Sequence, residues 1–188
     1  MKNVLLSLLF CVVYQLAEAQ RSVPELKNNT TLHYECKLHG QTRALKLTAN
    51  VSSDTLVFHL ETRGVKSDIV IAQQALKNGT ALSFNQGENT AVLHLKPTET
   101  FFMISRSAYQ DLVQNNKFVY NNTTYDVVNP KPNDDVFIEG KAIDVLHVKA
   151  QIDNTEIWII KNPDFPIICK VDKNPLGIDF TLMKIEQK

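Results

Sequence analysis

The sequence predicts a mainly β chain of the α+β kind: antiparallel strands with two short helices. Three observations carry that prediction. Apolar and polar side chains alternate with period two over much of the chain, as where Leu32, Tyr34, Cys36 and Leu38 interleave with His33, Glu35 and Lys37. Such a period marks half-buried strands. The runs are separated by short segments rich in Asn, Gly, Asp and Pro, and short connections favour antiparallel neighbours. Helical signals occur in only two places, Ala72–Gly79 and Ser105–Asn116.

Taken in order, 32–38 is the first strand, and His39-Gly40-Gln41 turns the chain. Leu45, Leu47, Ala49 and Val51 form the second strand; Leu56, Phe58 and Leu60, after Ser52-Ser53-Asp54, form the third. These three read as a meander. Ile69-Val70-Ile71 leads into a short helix over 72–79, stopped by Gly79 in a left-handed conformation. Ala81–Phe84 and Ala91–Leu95 flank Gly87-Glu88-Asn89 and read as a hairpin. Phe101–Ile104 reads as a further strand. Ser105 caps a helix through about Asn116, with Ala108, Tyr109, Leu112 and Val113 as its apolar stripe. Phe118–Tyr120 and Thr123–Val128, joined by Asn121-Asn122, read as a hairpin whose turn tolerates positive φ.

Asn129-Pro130-Lys131-Pro132-Asn133-Asp134 has no apolar side chain and reads as a connection. It divides the chain after its leader into a β-rich stretch, 20–128, and a C-terminal stretch, 135–188, expected to share one core because 54 residues are hard to stabilise alone. The C-terminal stretch reads as a four-stranded antiparallel meander, with strands near 141–151, 155–161, 166–172 and 178–186.

The first nineteen residues carry an early Lys2, an uncharged apolar run over Val4–Ala17 interrupted only by small and polar residues, and Ala17-Glu18-Ala19. This is the pattern of a cleavable secretory signal over 1–19. The run is shorter than the roughly 20 residues of a spanning helix, so export to the periplasm or beyond is expected, with no integral membrane span left after cleavage. Lys and Arg together number 20, and so do Asp and Glu. A neutral chain without a basic cluster is not a nucleic-acid binder by electrostatics.

Cys36 and Cys169 follow the leader. In an oxidising compartment they form a disulfide candidate. Each also occupies an apolar position of a predicted strand, where a buried free thiol is equally at home, and spacing alone does not bring the two together.

Residues 156–171, EIWIIKNPDFPIICKV, are apolar on both sides of a strand. A sheet with one wet face shows clean polar alternation; here both faces require cover. Core packing against the 106–116 helix and the first stretch would supply it, and so would an apolar ligand or a partner surface. If a ligand is present, Trp158, Ile160, Phe180 and Leu182 are the expected cavity wall.

Catalytic signatures are missing. No G-x-S-x-G, H-E-x-x-H, Gly-rich phosphate loop or paired C-x-x-C occurs. The five histidines, His33, His39, His59, His94 and His147, show no metal-ligand spacing. No enzyme, metal or cofactor is expected. Asn28, Asn29, Asn50, Asn78, Asn121 and Asn122 each begin an N-x-S/T triplet, which reads either as glycan acceptors or as asparagine-rich turns.

The runs GKAIDVLHVKAQIDNTEIWIIKNPDFPIICKVDKNPLGIDFTLMKI and FFMISRSAYQDLVQNNKFVYNNTTYDVV resemble parts of uncharacterised periplasmic proteins of gram-negative bacteria. More loosely, the order of the C-terminal strands is similar to the half-barrel sheet of lipoprotein carriers. That resemblance implies a curved antiparallel sheet or half-barrel and an apolar, acyl-type ligand or lipidated partner. Such carriers begin with helices, whereas this chain begins with strands. Two functional expectations follow: a non-catalytic envelope protein that binds an apolar small molecule, a lipid or a lipidated partner, and a structural or interaction module with a filled core.

Overall fold

The computed structural model describes residues 21–187 apart from Asp54, Gln86, Glu88, Asn89 and 130–134. The expected leader over 1–19 and most of the proline-rich connection lie outside the described residues. The rest is mainly β, with two helices, built on one large, curved, open sheet.

The first strands follow the period-two pattern. β1 (Thr31–Leu38), β2 (Gln41–Val51), β3 (Thr55–Thr62) and β4 (Val65–Ala72) pair antiparallel in sequence. β2 starts four residues earlier than its apolar run, because His39 and Gly40 turn with φ of 48° and 82° and let Gln41 pair with Leu38 at once. β4 is eight residues long where the sequence showed only Ile69–Ile71. After Val65 its first half is polar (Lys66, Ser67, Asp68), and the Arg63-Gly64 turn, with φ of 44° and 80°, starts it early.

α1 (Gln73–Asn78) ends at Gly79, but not in the left-handed region: Gly79 has φ −57° and ψ 146°. Space explains the glycine instead. A Cβ there would stand 2.6 Å from the Ala75 carbonyl oxygen, 3.0 Å from Thr100 Cγ2 and 3.3 Å from the Tyr120 hydroxyl.

The expected hairpin around Gly87 does not form. β5 (Ala81–Leu82) pairs parallel with β7 (Glu99–Thr100), and β6 (Val92–His94) pairs parallel with β4. Distant partners take the backbone: Asp68 N donates to Ala91 O at 2.8 Å and Leu95 N to Val70 O at 3.0 Å. Phe101–Ile104 is likewise not a strand. Phe102 has φ 51°, and Met103 makes one isolated bridge to Ile167.

α2 (Arg106–Asn115) is capped as the sequence indicates. Ser105 accepts a bond from Ala108 N at 3.3 Å, and Asn116 closes the helix in the left-handed region. Ala108, Tyr109 and Leu112 are buried, but Val113 is 55% exposed and leaves the stripe. β8 (Lys117–Tyr120) and β9 (Thr123–Val127) form the expected hairpin, with Asn121 and Asn122 at φ of 49° and 58°.

β10 (Val136–Ile138) and β11 (Lys141–Ile143) form a small ribbon. The chain breaks at Asp144, so the expected strand over 141–151 is divided between β11 and β12 (Val145–Ala150). β13 (Glu156–Ile160), β14 (Ile168–Asp172) and β15 (Ile178–Glu186) complete the antiparallel meander. The large sheet runs β6-β4-β3-β2-β1-β15-β14-β13-β12-β9-β8. Strands from 31–127 thus flank those from 145–186 on both sides, and side chains of both stretches share one buried cluster.

Register divides the side chains of the central strands between two faces. Val148, Ile157, Val171, Phe180 and Cys36 stand in one row across β12, β13, β14, β15 and β1; His147, Trp158, Lys170, Thr181 and Glu35 stand in the adjacent row, on the opposite face. The Phe180 face is covered by the segment 99–105. The Phe102 ring centroid lies 4.5 Å from that of Tyr34 and 4.4 Å from that of Phe180. The Tyr34 hydroxyl reaches β14 and donates to Ile168 O at 2.9 Å.

Substitutions at two positions test this packing. Gly79→Ala and Gly79→Asn are both expected to cost about 1–3 kcal/mol in urea unfolding, the range for overpacking a filled site; a left-handed glycine would instead accept Asn. Tyr34→Phe is expected to cost about 1–3 kcal/mol, because it leaves the buried Ile168 carbonyl without its donor.

Candidate functional site

Beneath the sheet lies a partly open cavity of 140 Å³, apolar in its depth and polar at its mouth. Its walls come from elements distant in sequence. Phe118, Tyr120 and Tyr125 project from β8 and β9, and Ile157, Ile168 and Val171 from β13 and β14. Leu82, Phe84 and Ile104 line it from the β5–β7 region and the irregular segment. Strand alternation explains why β8 and β9 contribute every second residue, and the Phe118 and Tyr125 rings stack at 5.2 Å and 17°.

The rim is polar, and its groups are engaged. Asn121 holds Leu82 by both backbone groups, accepting from Leu82 N at 2.9 Å and donating to Leu82 O at 3.4 Å. Asp153 accepts from Thr155 N at 2.7 Å, and Asn174 from Leu176 N at 2.8 Å. The hairpin tips beside the mouth expose Ile152 and Leu176, by 75% and 57%. The Tyr120 hydroxyl shares a 2.8 Å hydrogen bond with Thr100 Oγ1 and accepts from Ser105 N at 3.1 Å. Burial raises the pKa of Tyr120, against the pull of those bonds, and burial also raises that of Tyr125. The wall tyrosines therefore stay neutral, and the one carboxylate of the rim, Asp153, is engaged by Thr155 N. Among the described residues no group of three or more His, Cys, Asp or Glu is placed to hold a metal ion.

The structure distributes the four sequence-nominated wall residues around the sheet. Trp158 is on the face opposite Phe180. Its ring stacks on His147 at 4.1 Å and 10°, and Lys170 Nζ lies 4.2 Å from the ring centroid. Glu156 accepts from Lys173 Nζ at 2.6 Å and bonds His147 Nε2 at 2.9 Å. The Lys173 bond, helped by His147, holds the Glu156 pKa below the ordinary carboxylate range. This network shelters an indole that is only 6% exposed. Ile160 packs with Pro24, Leu26, Leu32, Ile167 and Ile185, which leave a space of just 10 Å³. Phe180 and Leu182 stand beside Tyr34 in the buried cluster, Leu182 paired directly with it. None of the four lines the 140 Å³ cavity. Its aromatic wall from β8 and β9 was readable as the buried side of a hairpin, but nothing local showed what that side would face.

Cys36 and Cys169 are free and buried. β15 lies between their strands. Neighbouring strands stand about 4.8 Å apart, so residues two strands away are beyond the roughly 7 Å Cα limit for a disulfide. Burial pushes both thiols up to about 12, and a thiol in that state is inert at neutral pH.

Those shifts predict alkaline instability. The unfolded chain gives up its thiol protons near pH 8.5, while the folded chain keeps them to about 12. Stability is full below the lower value and is lost as pH rises through the interval, by up to about 1.4 kcal/mol per pH unit for each thiol. Melting temperature is expected to fall from about pH 9 to pH 11, and Cys169→Ala to flatten that fall.

Comparison with known proteins places no family on the chain: no family model matches, and no curated protein matches. A solved structure described as "Crystal structure of MucB" aligns with a TM-score of 0.43 at 15% identity, over 93% of this chain. The chain spans 56% of that structure's length.

Proposed function

We propose that this chain is an exported, non-catalytic binding protein that receives one small apolar group in the cavity between β8–β9 and β13–β14. The group would be the end of a lipid, of a lipidated partner or of an apolar small molecule. One observation carries the reading: a 140 Å³ space walled by aliphatic and aromatic side chains, with a mouth of engaged polar groups. A dry cavity of about 150 Å³ lined by Leu, Ile and Phe is known to take up benzene. That size limits the guest to one ring or a short branched tail, and each methylene buried contributes about 0.8 kcal/mol. Phe180 and Leu182 stiffen the cluster behind the cavity; Trp158 and Ile160 brace the sheet elsewhere. Export rests on the residue pattern of 1–19.

A second reading is favoured by the same volume. Ordinary small-molecule pockets begin near 300 Å³, so a structural or interaction module with a nearly filled core also fits.

Benzene and hexan-1-ol separate the two. Under the first reading either probe shifts the methyl NMR signals of Ile104, Ile157 and Ile168, and raises stability by about 2.7 kcal/mol at one hundred times its dissociation constant. Val171→Phe, which fills the space, is expected to abolish both effects while the chain stays folded. If saturating probe moves none of those signals, the module reading stands.

A further inference from the structure

The hairpin that walls the cavity also ends the sheet. β8 is the last strand in the order, and β9 is its sole strand neighbour there. The Asn121-Asn122 turn has both residues at positive φ, so Tyr120 and Thr123, which face each other across it, exchange backbone bonds. Val127 N donates to Asn116 O, just before β8, at 2.9 Å, which agrees with a register in which the even-numbered residues bond inward. The N–H and C=O groups of Lys117 and Val119 therefore point away from β9. Among the described residues no other backbone group meets these two, while Asn121 N, next outward on this edge, already donates to Thr80 O at 2.9 Å and marks where an added strand must stop.

A groove of 400 Å³ runs along this edge. Ser107, Ala108, Asp111 and Asn115, on one face of α2, line it together with Gly79 and Thr80. Asp111 on the helix and Lys117 on the strand bring opposite charges to the groove, and neither has an ion pair among the described residues. Val119 is 58% exposed.

We propose that this groove takes an extended segment of a partner protein, which adds to β8 as a twelfth strand of the 11-stranded sheet. The occupant is set by chemistry. Donor and acceptor pairs recur at every second residue, about 7 Å apart, and an extended peptide backbone offers the matching repeat. Asp111 and Lys117 favour a segment carrying one basic and one acidic side chain. A second copy of this chain fits poorly, because its own β8 would bring its own α2 against a groove of 400 Å³ that already has a helix along it. The inference is independent of the cavity.

The probe is an array of capped random octapeptides, followed by amide hydrogen exchange on the strongest binder. Proline-free peptides are expected, with exchange at the Lys117 and Val119 amides slowed at least tenfold. Val119→Pro removes an N–H that no ladder bond uses, which an edge strand tolerates; it is expected to weaken binding at least tenfold, while Val119→Thr keeps it. Asp111→Lys, at an exposed helix position, is expected to shift selection from basic toward acidic peptides, and it serves as the readout should Val119→Pro fail to fold. The proposal is overturned if no peptide binds, if protection falls elsewhere, if Val119→Pro binds as well as the parent chain, or if Asp111→Lys leaves selection unchanged. Protection of the same two amides that grows with protein concentration alone would also overturn it, in favour of self-pairing.

Discussion

An irregular backbone runs through the interior of this protein, and its polar groups must be satisfied there. Phe101, Phe102, Met103, Ile104 and Ser105 are all buried, yet they form no strand ladder or helix. A buried donor or acceptor without a partner costs about 1–3 kcal/mol. The solution is a set of hydroxyls. Thr100 Oγ1 donates to Met103 O at 2.6 Å, the Tyr120 hydroxyl accepts from Ser105 N, and Ser105 Oγ donates to Gly79 O at 2.7 Å. The sheet supplies the rest: Ile168 N donates to Phe102 O at 2.9 Å, and Ile104 N to Pro166 O at 3.2 Å.

This segment makes the rest of the fold possible. It covers one face of the central strands with Phe102, and it delivers Ser105 to cap α2. It also places Ile104 in the cavity wall beside Tyr120, whose hydroxyl is committed to the segment. The cavity is therefore bounded by a surface whose position is fixed by several directional bonds. A guest of the proposed kind would enter a space already shaped, which would reduce the ordering cost of binding.

Much of this was legible in the residues. The period-two runs located β1 to β3 and the C-terminal meander, Ser105 announced its helix, and Asn121-Asn122 announced its hairpin, because each signal is local. What escaped depends on distant partners. β5 and β6 pair parallel with strands well removed in sequence, so the apparent hairpin around Gly87 had competitors that no local pattern reveals. Gly79 looked like a helix stop of the left-handed kind; it is a matter of clearance from Thr100 and Tyr120. The candidate wall failed to assemble through register. Alternation places Trp158 and Ile160 together, and Phe180 and Leu182 together, but a one-residue choice of pairing decides whether the two sets share a face. Here Trp158 is opposite Lys170 and Thr181.

The setting of Trp158 has an optical consequence. It is the single indole of the chain, and it is sandwiched between an imidazole and an ammonium group across the sheet from the cavity. Emission from this fluorophore arises beside His147 and Lys170, on the face that does not line the cavity. A silent emission spectrum in a titration with an apolar compound is therefore no sign that the cavity is empty.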